Sequence, residues 1–142
     1  MKKMNRFDMP VDGLPRRQWS MESLMRAFRE CERSDPETAE RIIQYACDCH
    51  HIPAKLAYGK FLSRGIHLQM PSVQRHQKAE AILLELVNRP GIAPPIVAEA
   101  ALELSKLYEY ELQRPAGALA MYLYAKRLGK ETDRSQLERL KN

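Results

Sequence analysis

Glycine, aromatic residues and long apolar runs are all scarce in this chain. Only 6 of its 142 residues are glycine and 7% are aromatic, and no glycine-rich phosphate-binding loop is present. The longest uncharged apolar run, 116–125, is half as long as the roughly 20 residues that a membrane-spanning helix needs. No apolar segment follows the first lysines, as one does in a secretion signal. We therefore expect neither membrane insertion nor secretion.

Cysteine is scarce as well, and its use does not predict a disulfide framework. The chain has 3 cysteines, an odd number, and a chain of this length buries a substantial core without covalent cross-links. Such usage is typical of a reducing compartment, so we expect a cytoplasmic protein.

Two of the cysteines lie beside two histidines in the stretch CDCHH, 47–51. A c-type haem attachment requires Cys-x-x-Cys-His, which this stretch does not match. Cysteine and histidine are also the usual zinc ligands, but Cys47 and Cys49 lie about 200° apart on a helix and can chelate one ion only if the helix unwinds. We interpret the stretch as a helix end with both thiols packed beside Ile42 and Ile43, and we expect no metal and no cofactor. A metal site stays open for Cys47, Cys49, His50 and His51, and a redox role stays open for the two thiols.

Positive charge is present but mild. The formal net charge is +5, and five of the 23 basic residues precede residue 19. The chain lacks the dense basic clusters and interleaved aromatic residues of a nucleic-acid surface, so nucleic acid is an unexpected partner. We interpret residues 1–18 as a flexible, solvated basic tail, with docking to an acidic partner as the alternative.

Proline and glycine interrupt the sequence at long intervals, and the segments between them have the period of amphipathic helices. No segment alternates apolar and polar residues in the manner of a strand. The expected fold class is all-α, with about seven helices joined by short turns. The helices are predicted to begin at or near Ser20, Pro36, Pro53, Ser72, Ile96, Pro115 and Asp133. Predicted ends include Gly65, Asn88, Leu112 and Gly129.

Several of these ends carry capping residues. Ser20 is a predicted N-cap, and Trp19 and Leu24 are spaced for a hydrophobic staple around it. Asp133 and Gln136 have the spacing of a capping box for a short last helix. The remaining predicted caps are Asp35, before Pro36, and Gly129, after the sixth helix.

Similar segments recur along the chain. The segment AYGKFLSRG, 57–65, matches ELSKLYEYE, 103–111, at an offset of 46 residues, and KAEAILLEL, 78–86, matches GALAMYLYA, 117–125, at an offset of 39. Small residues at matched positions allow two helix axes to approach, and large residues beside them fill the grooves. The recurrence predicts stacked antiparallel helix pairs.

The matched positions follow a known order. Gly-x-x-Leu-x-x-Gly occupies 59–65 and Lys-Ala-x-x-Ile-Leu occupies 78–83, while Leu-Ser-x-x-Tyr occupies 104–108 in the later copy. This order resembles the Sel1-like repeat, a variant of the tetratricopeptide (TPR-like) repeat, from about Leu24 to Gly129. The resemblance implies an α-α superhelix over residues 19–142, a TPR/Sel1-like solenoid of about three helix pairs with a C-terminal capping helix.

No group of residues predicts catalysis, so we expect a protein that is not an enzyme. His67 and His76 flank a loop without an acid or nucleophile at triad-like positions, and we interpret both as solvated. Glu99 and Glu103 are interpreted as a solvated helix face rather than as an acid–base pair. The tyrosines are expected to divide between the core, for Tyr108 and Tyr122, and the surface, for Tyr110 and Tyr124.

A helical solenoid without catalytic residues commonly binds a peptide or a protein surface. The resemblance implies that the first helix of each pair lines the concave face. On this chain the residues of that face would be Lys60, Ser63, Arg64, Lys106, Glu109 and Tyr110. We therefore expect an adaptor or scaffold that binds another protein or an acidic peptide segment through charge-assisted hydrogen bonds. Three alternatives stay open: ordinary solubilising charge at these positions, a self-assembling structural subunit (a homo-oligomer), and a nucleic-acid-associated protein that uses the basic tail.

Overall fold

The computed structural model describes residues 20–65, 70–130, 132 and 134–141, and these form helices and turns without a strand. The all-α prediction is confirmed for that part of the chain. The predicted tail, 1–18, and Trp19 of the predicted staple lie outside the described residues. The helices are α1 Met21–Cys31, α2 Pro36–Asp48, α3 Ile52–Arg64, α4 Ser72–Asn88, α5 Pro94–Tyr110, α6 Pro115–Arg127 and α7 Arg134–Lys141.

The described helices group into two units. The first unit contains α1, α2 and α3 as far as Tyr58, and the second contains α3 from Gly59 together with α4 to α7. The division therefore falls inside α3. That residues 19–142 form one repeat domain stays a prediction.

In the first unit, α1 and α2 begin at their predicted caps. Ser20 Oγ accepts a hydrogen bond from the N–H of Ser23 at 3.0 Å, and Asp35 Oδ1 accepts one from the N–H of Thr38 at 3.3 Å. Each bond satisfies a backbone donor that has no partner inside its helix. The two helices pack on each other. Their buried residues include Leu24, Phe28, Cys31, Ala39, Ile42, Ile43 and Ala46.

Tyr58 attaches the first half of α3 to α2. Its hydroxyl donates to Glu40 Oε2 at 3.0 Å and accepts from Gln44 Nε2 at 2.8 Å. Burial raises the pKa of Tyr58, the bond from Gln44 opposes the rise, and the negative charge of Glu40 adds to it. The phenol is therefore protonated at neutral pH and keeps its donated bond.

The cysteine–histidine stretch is the end of α2, as predicted. Cys49 is the C-cap and His50 follows in the left-handed conformation, with a φ of 61°. The N–H of His50 donates to Cys47 O at 2.9 Å and that of His51 to Ala46 O at 3.3 Å, which is a Schellman ending. The prediction that both thiols pack beside the apolar stripe is wrong for Cys49, which is exposed because the chain leaves the helix there, while Cys47 is half-buried.

Replacing His50 with glycine is expected to raise the free energy of unfolding by about 1 kcal/mol, because the left-handed conformation strains a side chain and not glycine. Gly129 holds the same position after α6, with a φ of 91°. The reverse kind of change, Gly129→Ala, places a side chain in the left-handed conformation and is expected to lower the free energy of unfolding by a similar amount. Urea unfolding measures both. Unchanged or reduced stability in His50→Gly would contradict the strain at this position.

In the second unit, α4 packs on α5, α5 on α6 and α6 on α7. Tyr108 and Tyr122 are buried and Tyr110 is exposed, as predicted, while Tyr124 is half-buried. The buried apolar side chains of this unit include Leu62, Ala79, Leu83, Leu86, Val97, Ala98, Ala101, Leu104, Leu107, Ala118 and Ala125.

Gly59 and Ser105, the small residues at matched positions, both lie where another helix approaches closely. A Cβ atom on Gly59 would lie 2.6 Å from Leu83 Cδ2 of α4. Ser105 Oγ donates to the Ala118 carbonyl of α6 at 2.6 Å. A small side chain at each position therefore permits the contact with the helix that follows.

One predicted helix start, that of α5, differs from the structure by two residues, and another, that of α7, lies outside the described residues. α5 begins at Pro94, two residues before the predicted Ile96, because the first turn of a helix needs no backbone donor and accepts proline. Asp133, the predicted cap of α7, lies outside the described residues. Gln136, its predicted partner, is buried and donates to Ser105 Oγ at 2.9 Å.

Candidate functional site

Two ion pairs join the second half of α3 to α5. Lys60 Nζ lies 3.1 Å from Glu99 Oε2, and Arg64 donates through Nε and Nη2 to the two carboxylate oxygens of Glu103, each at 3.2 Å. Both pairs join residues that are 39 positions apart. Since the second pair lies one turn further along both helices, this part of α3 and α5 run in the same direction.

Glu103 is the more buried of the two carboxylates. Its side chain is 6% exposed, whereas that of Arg64 is 61% exposed. A buried carboxylate needs a charged or hydrogen-bonding partner, and the two parallel bonds from the guanidinium group supply it. The interpretation of Glu99 and Glu103 as a solvated face is therefore wrong for Glu103, because its partner approaches from a helix that is distant in the sequence.

Glu99 lies between two lysines. Lys60 Nζ and Lys130 Nζ each lie 3.1 Å from one of its carboxylate oxygens. Burial would raise the pKa of Glu99, but the hydrogen bonds and charges of Lys130 and Lys60 outweigh it and hold the pKa below its ordinary value. Glu99 is therefore ionised at neutral pH. Lys130 reaches it from the turn that ends α6, where Gly129 permits the left-handed conformation.

These groups line a shallow depression of about 180 Å³. We call its four basic side chains the basic strip: Lys60, Arg64, Lys106 and Lys130. Lys106 is exposed, and it forms no ion pair with any described residue. Only Glu99 and Glu103 are acidic among the lining residues, so the depression has two more basic than acidic groups.

Three of the four basic residues, Lys60, Arg64 and Lys106, are predicted from the sequence to bind a partner, and Lys130 is not. The sequence also does not indicate that Glu99 and Glu103 belong there. The repeat does not indicate the carboxylates either, because the matched segments of α3 and α5 are offset by 46 residues, whereas the ion pairs join residues 39 positions apart. Lys130 lies in a turn rather than on a helix face, so helical periodicity does not indicate it.

Glu109 and Tyr110, the other predicted site residues of α5, do not line the depression. Arg139 of α7 donates to both carboxylate oxygens of Glu109, at 3.1 and 3.2 Å, and to the Tyr110 hydroxyl at 2.6 Å. Its guanidinium carbon lies 5.7 Å from the centre of the Tyr110 ring. Ser63 is half-buried on α3 and is not a lining residue either. The structure thus brings three of the six predicted site residues together.

His67 lies outside the described residues. His76 is buried on α4, so the prediction of a solvated loop histidine is wrong for it. The Nε2 atom of His76 lies 3.7 Å from Glu111 Oε2. Burial and then the charge of Arg75 lower the pKa of His76, while Glu111 acts in the opposite direction. The imidazole is therefore neutral at physiological pH and packs with the buried face of α4.

The described ranges, 20–65, 70–130, 132 and 134–141, lack both metal-binding clusters and membrane-spanning helices. They contain no group of three or more His, Cys, Asp or Glu side chains that is arranged to hold an ion. No helix among them has both the length and the apolar character to cross a membrane.

Comparisons with known proteins return nothing similar: no family model, no curated protein and no solved structure matches the chain.

Proposed function

We propose that the protein is a non-enzymatic cytoplasmic adaptor or scaffold that binds an acidic segment of another protein through the basic strip. The observation that carries this proposal is Lys106, an exposed ammonium group beside the two paired carboxylates with no ion-pair partner of its own among the described residues. A ligand carboxylate that approaches Lys106 gains a charge-assisted hydrogen bond. The excess of positive charge in the depression attracts that ligand from a distance.

The two ion pairs support the TPR/Sel1-like architecture on which this proposal draws. In a stack of helix pairs, the first helices of successive pairs run side by side in the same direction, as the constant spacing of Lys60–Glu99 and Arg64–Glu103 requires here. Lys60 and Lys106 hold equivalent positions in the matched segments. Lys60 is paired within the chain, and Lys106 is exposed without an ion-pair partner among the described residues.

The substitution Lys106→Glu is expected to weaken capture of the partner about tenfold, since it reverses the charge of the open group and leaves both ion pairs intact. Lys126→Glu is the matched control, because Lys126 is an exposed lysine of α6 and the change in net charge is the same. The measurement is a pull-down from nuclease-treated cell extract with the full chain and both variants as bait, quantified by mass spectrometry. Arg64→Glu is avoided because it would set a second negative charge against the buried Glu103.

A protein that the full chain and Lys126→Glu retain, and that Lys106→Glu loses, supports the adaptor function and its surface. A partner that stays on all three baits would show that the binding surface lies elsewhere. Recovery of the chain alone would favour a self-assembling subunit instead. A circular dichroism melt of each bait confirms that the charge changes leave the fold intact.

A further inference from the structure

Glu99 occupies a position that suits a ligand carboxylate. It accepts hydrogen bonds from Lys60 and from Lys130, both at 3.1 Å. The side chains of all three residues are partly exposed, at 29% for Lys60, 34% for Lys130 and 35% for Glu99. An incoming carboxylate can therefore reach both ammonium groups from solvent. Glu103 differs, because it is buried beneath the guanidinium group of Arg64.

A second depression, of about 370 Å³, shares Glu99 and Lys130 with the first. Its other walls are mostly apolar and are formed by Pro95, Ile96, Ala98 and Leu128. Removing a large apolar side chain from water against such walls is favourable. A ligand whose carboxylate binds Lys130 therefore places its neighbouring residue at an apolar surface.

We infer that Glu99 is an internal competitor for the ligand. It holds Lys60 and Lys130 until an acidic segment with a large apolar side chain beside its carboxylate displaces it. The inference rests on the proposed function and specifies the ligand of the same site. Exchange is feasible because ion pairs near the surface contribute little net stability, so one carboxylate replaces another with a small change in free energy.

The test is fluorescence anisotropy of the full chain with two labelled, glutamate-rich peptides of equal charge. In one peptide a leucine follows the central glutamate, and in the other a serine takes its place. Glu99→Gln is expected to bind the leucine peptide about threefold to tenfold more tightly than the unaltered chain, because both ammonium groups become available. The unaltered chain is expected to bind the leucine peptide about fivefold more tightly than the serine peptide.

Glu138→Gln is the matched control, since Glu138 is an exposed residue of α7 and the substitution removes the same charge. It is expected to change the affinity less than about twofold, as a general effect of net charge. Lys130→Gln provides a second readout and is expected to weaken binding of the leucine peptide about threefold. A thermal melt establishes that each variant is folded.

Equal affinities of Glu99→Gln and Glu138→Gln would overturn the inference, and so would equal affinities of the two peptides. In either case the proposed function stands if Lys106→Glu still weakens binding. If the unaltered chain and Glu99→Gln bind neither peptide, the inference and the proposed acidic ligand both fail. A tighter complex with Glu99→Gln that prefers leucine over serine supports the inference in full.

Discussion

The substitution Arg64→Met is expected to lower the free energy of unfolding by about 2 kcal/mol. It removes both hydrogen-bond donors from Glu103, whose side chain is 6% exposed, and leaves a negative charge in a poorly solvated position. Because the guanidinium group itself is largely exposed, water partly replaces it, and the loss stays below that of a fully buried pair. Urea unfolding at neutral pH measures the change.

Lys60→Met is the matched control for this change. Glu99 keeps Lys130 as a partner when Lys60 is lost, so the expected loss is about 0.5 kcal/mol. The double substitution Arg64→Met with Glu103→Leu removes the unpaired charge and is expected to recover most of the stability. Equal losses for Arg64→Met and Lys60→Met would show that Arg64 does not stabilise the buried carboxylate.

The substitution Gly59→Ala is expected to lower the free energy of unfolding by about 1–3 kcal/mol. Alanine in place of glycine usually stabilises the interior of a helix by about 1 kcal/mol, so the expected sign is the reverse of the usual one. The reason is the distance of 2.6 Å from the added Cβ to Leu83 Cδ2. Leu83 is fully buried and cannot move aside without disturbing its neighbours.

The background for testing this contact is Leu83→Ala, which removes the atoms that the new methyl group meets. In that background Gly59→Ala is expected to be neutral or to stabilise by up to about 1 kcal/mol, because only the helix preference remains. Thermal and urea unfolding of the four chains form a double-mutant cycle. A loss of the same size in both backgrounds would show that the contact with Leu83 is not the cause.

The helix bounds are largely predictable because nearby residues determine them. Ser20 and Asp35 cap the helices that follow them, and Gly129 ends α6 through its left-handed conformation. The ending at His50 has the same geometry, but histidine is a weaker signal for it than glycine. For that reason the sequence predicts the end of α2 only approximately and places Cys49 on a packed face instead of at the exposed cap.

The candidate site is less predictable because distant segments determine which of its charges are paired. Glu103 and Lys106 lie one turn apart on α5 and look equally solvated in the sequence. In the structure Arg64 covers the first and leaves the second exposed. His76 presents the same difficulty, since its burial depends on the packing of α4 and not on its neighbours in the chain.

The buried side chain of the last helix, α7, is an amide, that of Gln136, rather than an apolar group. Gln136 is 2% exposed and donates to Ser105 Oγ, which in turn donates to the Ala118 carbonyl. Leu137 and Leu140 are only half-buried, so apolar burial contributes little to the stability of α7 packing. If α7 were displaced by one turn, the amide and the hydroxyl would lose their hydrogen bond in a buried site, which is strongly unfavourable. Gln136 therefore fixes the register in which α7 packs, together with the hydrogen bonds of Arg139 to Glu109 and Tyr110.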